Sequence, residues 1–312
     1  MTVVSRERAV GALIGSAVGD ALGAPFEFGP ARQFSRRFPA SMPGPDADEM
    51  IGGGGFGWAP GEFTDDTQMA IVLAESLIDR GGFDGVDLLA RFRAWAATAK
   101  DVGGQTRAVL CDGGSPDAAA RHFKLTGRAA GNGSLMRATT SALFAAGGDL
   151  ASSFALAQAH SALTHGDPAA GWGVALYHGM IRAAVRDEPA LEALPGLLDH
   201  LPAPHAARYR SLLMPHVGAT DEPANSTVWG CLAQAVRILR RAASFQAAMR
   251  QACDVGGDVD TVACVTGGLA GASFGLQAIP SRWAARVHGA VNRRIYRQDD
   301  LQMLALQLTT GG

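Results

Sequence analysis

The sequence predicts an all-α fold, a single compact helical domain over residues 1–312, and three observations predict it. Strand formers are sparse: aromatic residues make up 7% of the chain, and β-branched runs are short. Glycine is abundant, at 40 residues, alongside a heavy load of alanine, and such small side chains let helices approach closely. Apolar residues recur at helical spacing along most of the chain. Neither a repeat of fixed period nor a strong linker divides it. With 312 residues and 47% hydrophobic content it can bury a large core without disulfides.

Residues 5–23 read as the first helix, with Ala9, Leu13, Ile14, Ala17 and Val18 in register and Pro25 as the stop. Arg6 and Arg8 ahead of Ala9 to Val18 imitate the start of a signal peptide. Asp20 interrupts that run, and no cleavage signal precedes Glu27, so a buried helix is expected. Residues 29–61 read as a long loop with Gly52 to Gly55 inside it, a length that usually signals a lid or binding loop. Helices follow over 64–79 and 84–99, with Gly81 and Gly82 between them. Another begins at Arg107, one runs from Leu135 to Ala145, and two more cover 151–163 and 168–186, the latter capped by Asp167 with Pro168 at its first position. Residues 188–224 read as three short pieces punctuated by proline. Helices then run to about Arg241, over Ser244–Cys253 and from Asp258 onward. Gly267, Gly268, Gly271 and Gly275 in that last one imply tight packing against a neighbour. Pro280 to Leu308 reads as two ordinary helices.

Bulk charge narrows the function. A net charge of −2 and a pI near 6.4 give no basic field for nucleic acid or an anionic membrane surface. No uninterrupted apolar run reaches 18 residues, so no membrane span is expected. Cys111, Cys231, Cys253 and Cys264 lack metal-site spacing and read as reduced core residues of a cytoplasmic protein.

Two acidic clusters stand out, Thr64-Asp65-Asp66-Thr67 and Asp258-Val259-Asp260-Thr261. Each opens an apolar helix and has no Lys or Arg close by in sequence. One carboxylate suffices as an N-cap, and two independent caps would be the plain explanation. A second carboxylate drawn toward an apolar interior must instead be protonated, paired or bound to a metal. Four Asp and up to three Thr hydroxyls make an all-oxygen site suited to Mg²⁺ or Mn²⁺, and the charge points to two ions. Glu27 reads either as a solvated loop residue or as a further member of this pocket. Asp101 reads as a helix stop or as a carboxylate at its mouth. Gly131-Asn132-Gly133-Ser134 leads into a helix, so its N–H groups either gather round a phosphate or simply form the loop. His165 sits on a bend, where a histidine is more often structural.

These landmarks together resemble the ADP-ribosylglycohydrolases, the family of dinitrogenase reductase-activating glycohydrolase and the ADP-ribosylarginine hydrolases. The blocks at 15–27, 64–67, 101–107, 131–137, 164–168 and 256–261 carry the resemblance, in order and spacing, from Gly11 to about Gly275. It implies a helical bundle around a central two-metal site with Mg²⁺ or Mn²⁺. Thr64, Asp65, Asp66, Asp258, Asp260 and Thr261 look like the metal shell. Glu27, Asp66 and Asp101 are the catalytic candidates; Gly131, Asn132, Gly133 and Ser134 match the diphosphate loop, and His165 a residue of the ADP-ribose cleft. The implied reaction releases ADP-ribose from a modified protein, with arginine as the expected attachment. Serine-linked ADP-ribose, a small conjugate such as O-acetyl-ADP-ribose, or a non-catalytic ADP-ribose-binding role are the alternatives. Val102, Gly104 and Gln105 depart from the commoner Asp-Ile-Gly-Asn-Thr-Thr pattern, which bears on the leaving group.

Overall fold

The computed structural model describes residues 3–39, 49–112, 117–128, 130–214 and 223–310. Residues 40–48 of the long loop, and part of the expected 188–224 pieces, lie outside that set. The elements in order are α1 (Arg6–Gly23), α2 (Gln33–Arg37), α3 (Asp65–Arg80), α4 (Gly85–Ala96), α5 (Gly104–Leu110), α6 (Ala118–Thr126), α7 (Ala138–Phe144), α8 (Leu150–Ala162) and α9 (Pro168–Val185). They continue through α10 (Ala190–Leu198), α11 (Ala203–Leu213), α12 (Val228–Arg241), α13 (Phe245–Ala252), α14 (Val259–Phe274) and α15 (Ser281–Ala284), then strands β1 (His288–Val291) and β2 (Arg294–Arg297), and end with α16 (Gln298–Thr310).

The centre is the antiparallel pair α1 and α14. Ser5 caps α1 by accepting from the Arg8 N–H, and every residue from Ala9 to Gly23 is buried. This helix is long and apolar enough to cross a membrane by length and composition, but 94% of its apolar window is buried against other helices. Gly11, Gly15, Gly19 and Gly23 recur every four residues and so form one stripe. A Cβ at Gly15 would lie 2.4 Å from the Gly267 carbonyl oxygen, one at Gly19 2.0 Å from that of Ala263, and one at Gly23 2.5 Å from Asp260 Cα. The backbones touch with nothing between them. Helices α3, α9, α12, α13 and α16 pack round this pair and complete one large core.

Three expectations change. Pro280 to Leu308 contains a short helix, a β-hairpin and α16, where two helices were expected. Asn292 and Arg293 turn the hairpin with positive φ (51° and 148°), and an Asn-Arg pair hides the turn signal that Asn-Gly would give. The hairpin positions the site: the Phe63 N–H donates to His288 O at 2.9 Å and the His288 N–H to Gly61 O at 3.0 Å, pinning the chain just before Thr64. The 29–61 loop carries α2, whose Phe34 is buried against Phe26 and Phe38. Cys111 is exposed, and the other three cysteines are buried as expected. Smaller shifts are of boundaries: α5 starts at Gly104, before Arg107, and α7 starts at Ala138 because Asn132 to Arg137 form turns.

Replacing Gly267 by Ala would put a methyl 2.0 Å from the Gly15 carbonyl oxygen and force α1 and α14 apart. The expected loss is about 3 kcal/mol, the upper end for overpacking, read as a lower urea midpoint.

Candidate active site

The two acidic turns meet at one end of the α1–α14 pair. In the first, Thr64 is the N-cap of α3, which puts Asp65 and Asp66 in that helix's first turn. In the second, Gly256 and Gly257 take positive φ and deliver Asp258 as the N-cap of α14, with Asp260 in its first turn. Thr261 Oγ1 donates to Asp66 Oδ2 at 3.5 Å, a long contact that joins turns 195 residues apart. Glu27 arrives from the end of α1: the Phe28 N–H donates to Gly257 O at 2.7 Å and the Gly257 N–H to Gly29 O at 3.0 Å. Oxygens of Glu27, Asp258 and Asp260 lie within 4.8 Å of one another. Glu27, Asp65, Asp66, Asp101, Asp258, Asp260 and Thr261 all line one cavity of about 400 Å³.

Asp20, which sequence reasoning treated only as an interruption of an apolar run, proves to be the anchor of the first turn. It is fully buried in α1 and accepts from the Thr64 N–H (2.9 Å), the Thr67 N–H (3.0 Å) and Thr67 Oγ1 (2.6 Å). The signal was present in the sequence as a lone carboxylate inside an otherwise apolar helix. Asn132 also serves the acids, donating to Asp258 Oδ2 at 2.8 Å and to Asn225 O at 3.0 Å.

The electrostatics are those of carboxylates crowded away from water. Burial pushes Asp20 up to about 6, against the hydrogen bonds from Thr67 and Thr64. Burial, then the charges of Asp101, Asp258 and Asp20, push Glu27 up to about 8. Asp65, Asp66 and Asp260 are held well above the usual range, first by burial and then by neighbouring acids, of which the foremost is Asp101 for Asp65, Asp20 for Asp66 and Asp66 for Asp260. Burial also raises Asp101. Among the described residues no Arg or Lys forms an ion pair with any member of this cluster. Asp65 accepts no hydrogen bond there, and Asp66 Oδ1 is buried without a partner. The charge of Arg107 acts on Asp101 without an ion pair. Hard oxygen donors with free lone pairs, concentrated negative charge and no ion-paired Lys or Arg among the described residues are a donor set that fits divalent metal ions.

Gly131, Asn132, Gly133, Met136, His165 and Gln105 line the same cavity without adding a carboxylate. The sequence candidates divide here. Gly131, Asn132, Gly133 and His165 reach the cavity, whereas Ser134 is wholly buried and accepts from Ser161 Oγ at 2.8 Å. Thr64 is buried behind Asp66, at 3.4 Å from its Oδ2, and does not line the cavity. Phe28 and Phe56 form part of the rim. Phe28 is 74% exposed and holds a left-handed φ of 58°, a conformation that a bulky residue rarely adopts.

Fold and cavity, with the comparisons, define the class: an all-α glycosyl hydrolase. The chain belongs to the ADP-ribosylglycohydrolase family, whose sequence profile matches residues 1–312. It is 29% identical over 313 residues to the ADP-ribosyl-dinitrogen reductase glycohydrolase of Rhodospirillum rubrum, covering 96% of each chain. It is 28% identical over 293 residues to ADP-ribosylarginine hydrolase Tri1 of Pseudomonas putida (strain GB-1), covering 90% of this chain and 74% of the relative. A solved structure described as an ADP-ribosylglycohydrolase-related protein complex superposes with a TM-score of 0.75 at 32% identity, covering 98% of both chains.

Asp20 and Glu27 have folded-state pKa values above those of the unfolded chain. The folded protein therefore keeps protons that the unfolded chain releases, and this contribution to stability is present at low pH and lost as pH rises. In EDTA, the melting temperature should fall between about pH 5 and about pH 8. Mg²⁺ or Mn²⁺ should restore it most at the upper end, as measured by differential scanning fluorimetry.

Proposed function

We propose that the chain hydrolyses the N-glycosidic bond between ADP-ribose and an arginine side chain of a modified protein, using two divalent ions, Mg²⁺ or Mn²⁺. The observation that carries this reading is the cluster of crowded carboxylates, with Asp66 Oδ1 buried and unpartnered and no ion-paired Lys or Arg among the described residues. Asp65, Asp66, Asp258, Asp260 and Thr261 would hold the ions, with Thr64 supporting Asp66 from behind. When bound, the ions supply Lewis acidity toward a water and orient the ribose hydroxyls.

The side chains do the rest. Water adds to the anomeric carbon as its bond to the guanidinium nitrogen breaks, with oxocarbenium character between. The water's proton passes to a carboxylate. Glu27 faces the cavity with a pKa raised to about 8, so its affinity for a proton is matched to neutral pH. Asp101, also raised by burial and near enough for its charge to raise Glu27, gives a proton to the departing guanidine. Backbone N–H groups around Gly131 and Gly133, with His165, receive the diphosphate.

Arginine is favoured over serine by the rim. A planar cation entering an acidic mouth past the exposed Phe28 ring gains both charge attraction and a π face. Two relatives bear names for hydrolysis of ADP-ribosylarginine or ADP-ribosyl-dinitrogen reductase, which supports the same attachment. The near-neutral charge and the burial of α1 support a protein that works away from nucleic acid and membranes, and a cytoplasmic one.

The test is release of ADP-ribose from arginine-modified and serine-modified protein and from O-acetyl-ADP-ribose, with Mg²⁺, with Mn²⁺ and in EDTA. Arginine-linked substrate should turn over fastest, and EDTA should abolish release. Asp66→Asn and Asp258→Asn should bring it to background. Asp101→Ala should lower kcat roughly 100-fold, the usual size of an acid–base contribution. Full activity in either Asn variant, or preference for the serine linkage, overturns the corresponding part of the reading.

A further inference from the structure

We propose that Arg137 and Thr164 are positioning residues that lock His165 in its Nε2–H tautomer, so that the imidazole offers a hydrogen-bond donor to an anionic oxygen of the ligand. The ligand half of this inference rests on the ADP-ribose reading; the hydrogen-bond chain stands without it.

Arg137 follows the Gly131–Ser134 loop and is wholly buried. It forms no ion pair with any described acid, and its guanidinium lies 4.7 Å from the centre of the Phe92 ring. The two hydrogens of Nη2 are both used, one on His160 O at 2.7 Å and one on Thr164 Oγ1 at 2.9 Å. Burial lowers Arg137 only to about 9, so at neutral pH it is a donor and nothing else.

Thr164 Oγ1 therefore accepts from Arg137 and must place its own hydrogen elsewhere. Its other partner among the described residues is His165 Nδ1, at 2.8 Å. A hydrogen on Nδ1 would point at the same oxygen and leave the Thr164 hydroxyl hydrogen with no acceptor. Thr164 is fully buried, where an unmade hydrogen bond is costly. Nδ1 therefore accepts.

His165 itself is neutral, because burial, and then the charges of Arg137 and His122, hold its pKa well below the usual range. Its one remaining hydrogen sits on Nε2. That atom has no partner among the described residues and lies against the cavity loop: a Cβ at Gly133 would be 3.2 Å from it, and one at Gly131 3.4 Å. The two glycines thus leave room for the ring edge at the wall of the cavity.

A neutral Nε2–H donor suits a phosphate oxygen and repels a guanidinium, so His165 belongs to the diphosphate end of the ligand. Its lone pair is committed to Thr164, which removes it from consideration as a general base. The sequence placed His165 on a bend and gave no sign of this chain, because Arg137 and Thr164 are 27 residues apart.

Long-range ¹H–¹⁵N NMR of the ¹⁵N-histidine-labelled full chain reads the tautomer directly, with the His165 signals assigned by their loss in His165→Ala. The wild type should show Nε2–H at neutral pH without any ligand. Thr164→Val should lose that bias and weaken ADP-ribose binding roughly tenfold or more, the effect of one hydrogen bond to a charged group. Thr164→Ser should restore both. An Nδ1–H signal in the wild type, or a folded Thr164→Val with unchanged tautomer and affinity, overturns the inference. Should Thr164→Val fail to fold, the wild-type and Thr164→Ser spectra still decide it. An Nε2–H tautomer in a wild type that does not bind ADP-ribose supports the chain and overturns the assigned ligand.

Discussion

The direct backbone contact between α1 and α14 is the constraint on which the rest of the structure depends. With glycine at 11, 15, 19 and 23, the two helices approach until carbonyl oxygens meet Cα atoms. Because the pair is antiparallel, the C-terminal end of α1 meets the N-terminal end of α14. That end of α1 carries Asp20 and leads into Glu27, and that end of α14 carries Asp258 and Asp260. The last glycine of the stripe, Gly23, rests on the backbone of Asp260 itself. The distance that sets helix packing therefore also sets the separation of the carboxylates.

The crowding that results is unfavourable unless something offsets it. Asp65 and Asp66 stand in the first turn of α3 and Asp260 in the first turn of α14, where the helix dipole favours negative charge. Each such contact contributes at most about 1–2 kcal/mol. Burial of several carboxylates within a few ångströms of one another costs more than that. Their raised pKa values express the shortfall: in the protein alone, protons make up the missing positive charge. Divalent cations would do so without neutralising the oxygens as ligands. The structural acid, Asp20, adds its charge to this competition while its hydrogen bonds from Thr64 and Thr67 anchor the turn that carries Asp65 and Asp66.

Much of this was legible in the sequence where the signal was local. The helical spacing in residues 5–23 and the four glycines after Asp258 gave both central helices, and the latter implied a close neighbour. They did not say which neighbour, because helix contact is a property of two segments more than two hundred residues apart. The matching stripe at 11, 15, 19 and 23 was visible only as small residues. The hairpin at 288–297 was missed because its turn uses Asn292 and Arg293, with no glycine to mark it. For the acids, residue type and position before an apolar helix gave the candidates. Their burial and the absence of paired cations came only from the packing. Asn132 was read as part of a loop, and its contact with Asp258 could not be inferred from a spacing of 126 residues.

The cavity has two chemically distinct sets of lining groups, and this limits what can bind. One set is the carboxylates of Glu27, Asp65, Asp66, Asp101, Asp258 and Asp260; the other is Gly131, Gly133 and His165, with Asn132 joining the two through its bond to Asp258. A simple anion would be repelled by the first set, and a simple cation would find no use for the second. A ligand that places hydroxyl oxygens toward cation-bearing carboxylates and a diphosphate toward N–H donors satisfies both at once. Behind Gly133 and His165 lies the charge of Arg137, buried without an acid partner among the described residues. It packs on Phe92 and reaches the cavity lining through Thr164 and His165 and, at 3.5 Å, through the Gly133 carbonyl. At His165 positive character is thus delivered as an oriented neutral dipole, which can hold a phosphate oxygen without pairing with the acids, as a free arginine would.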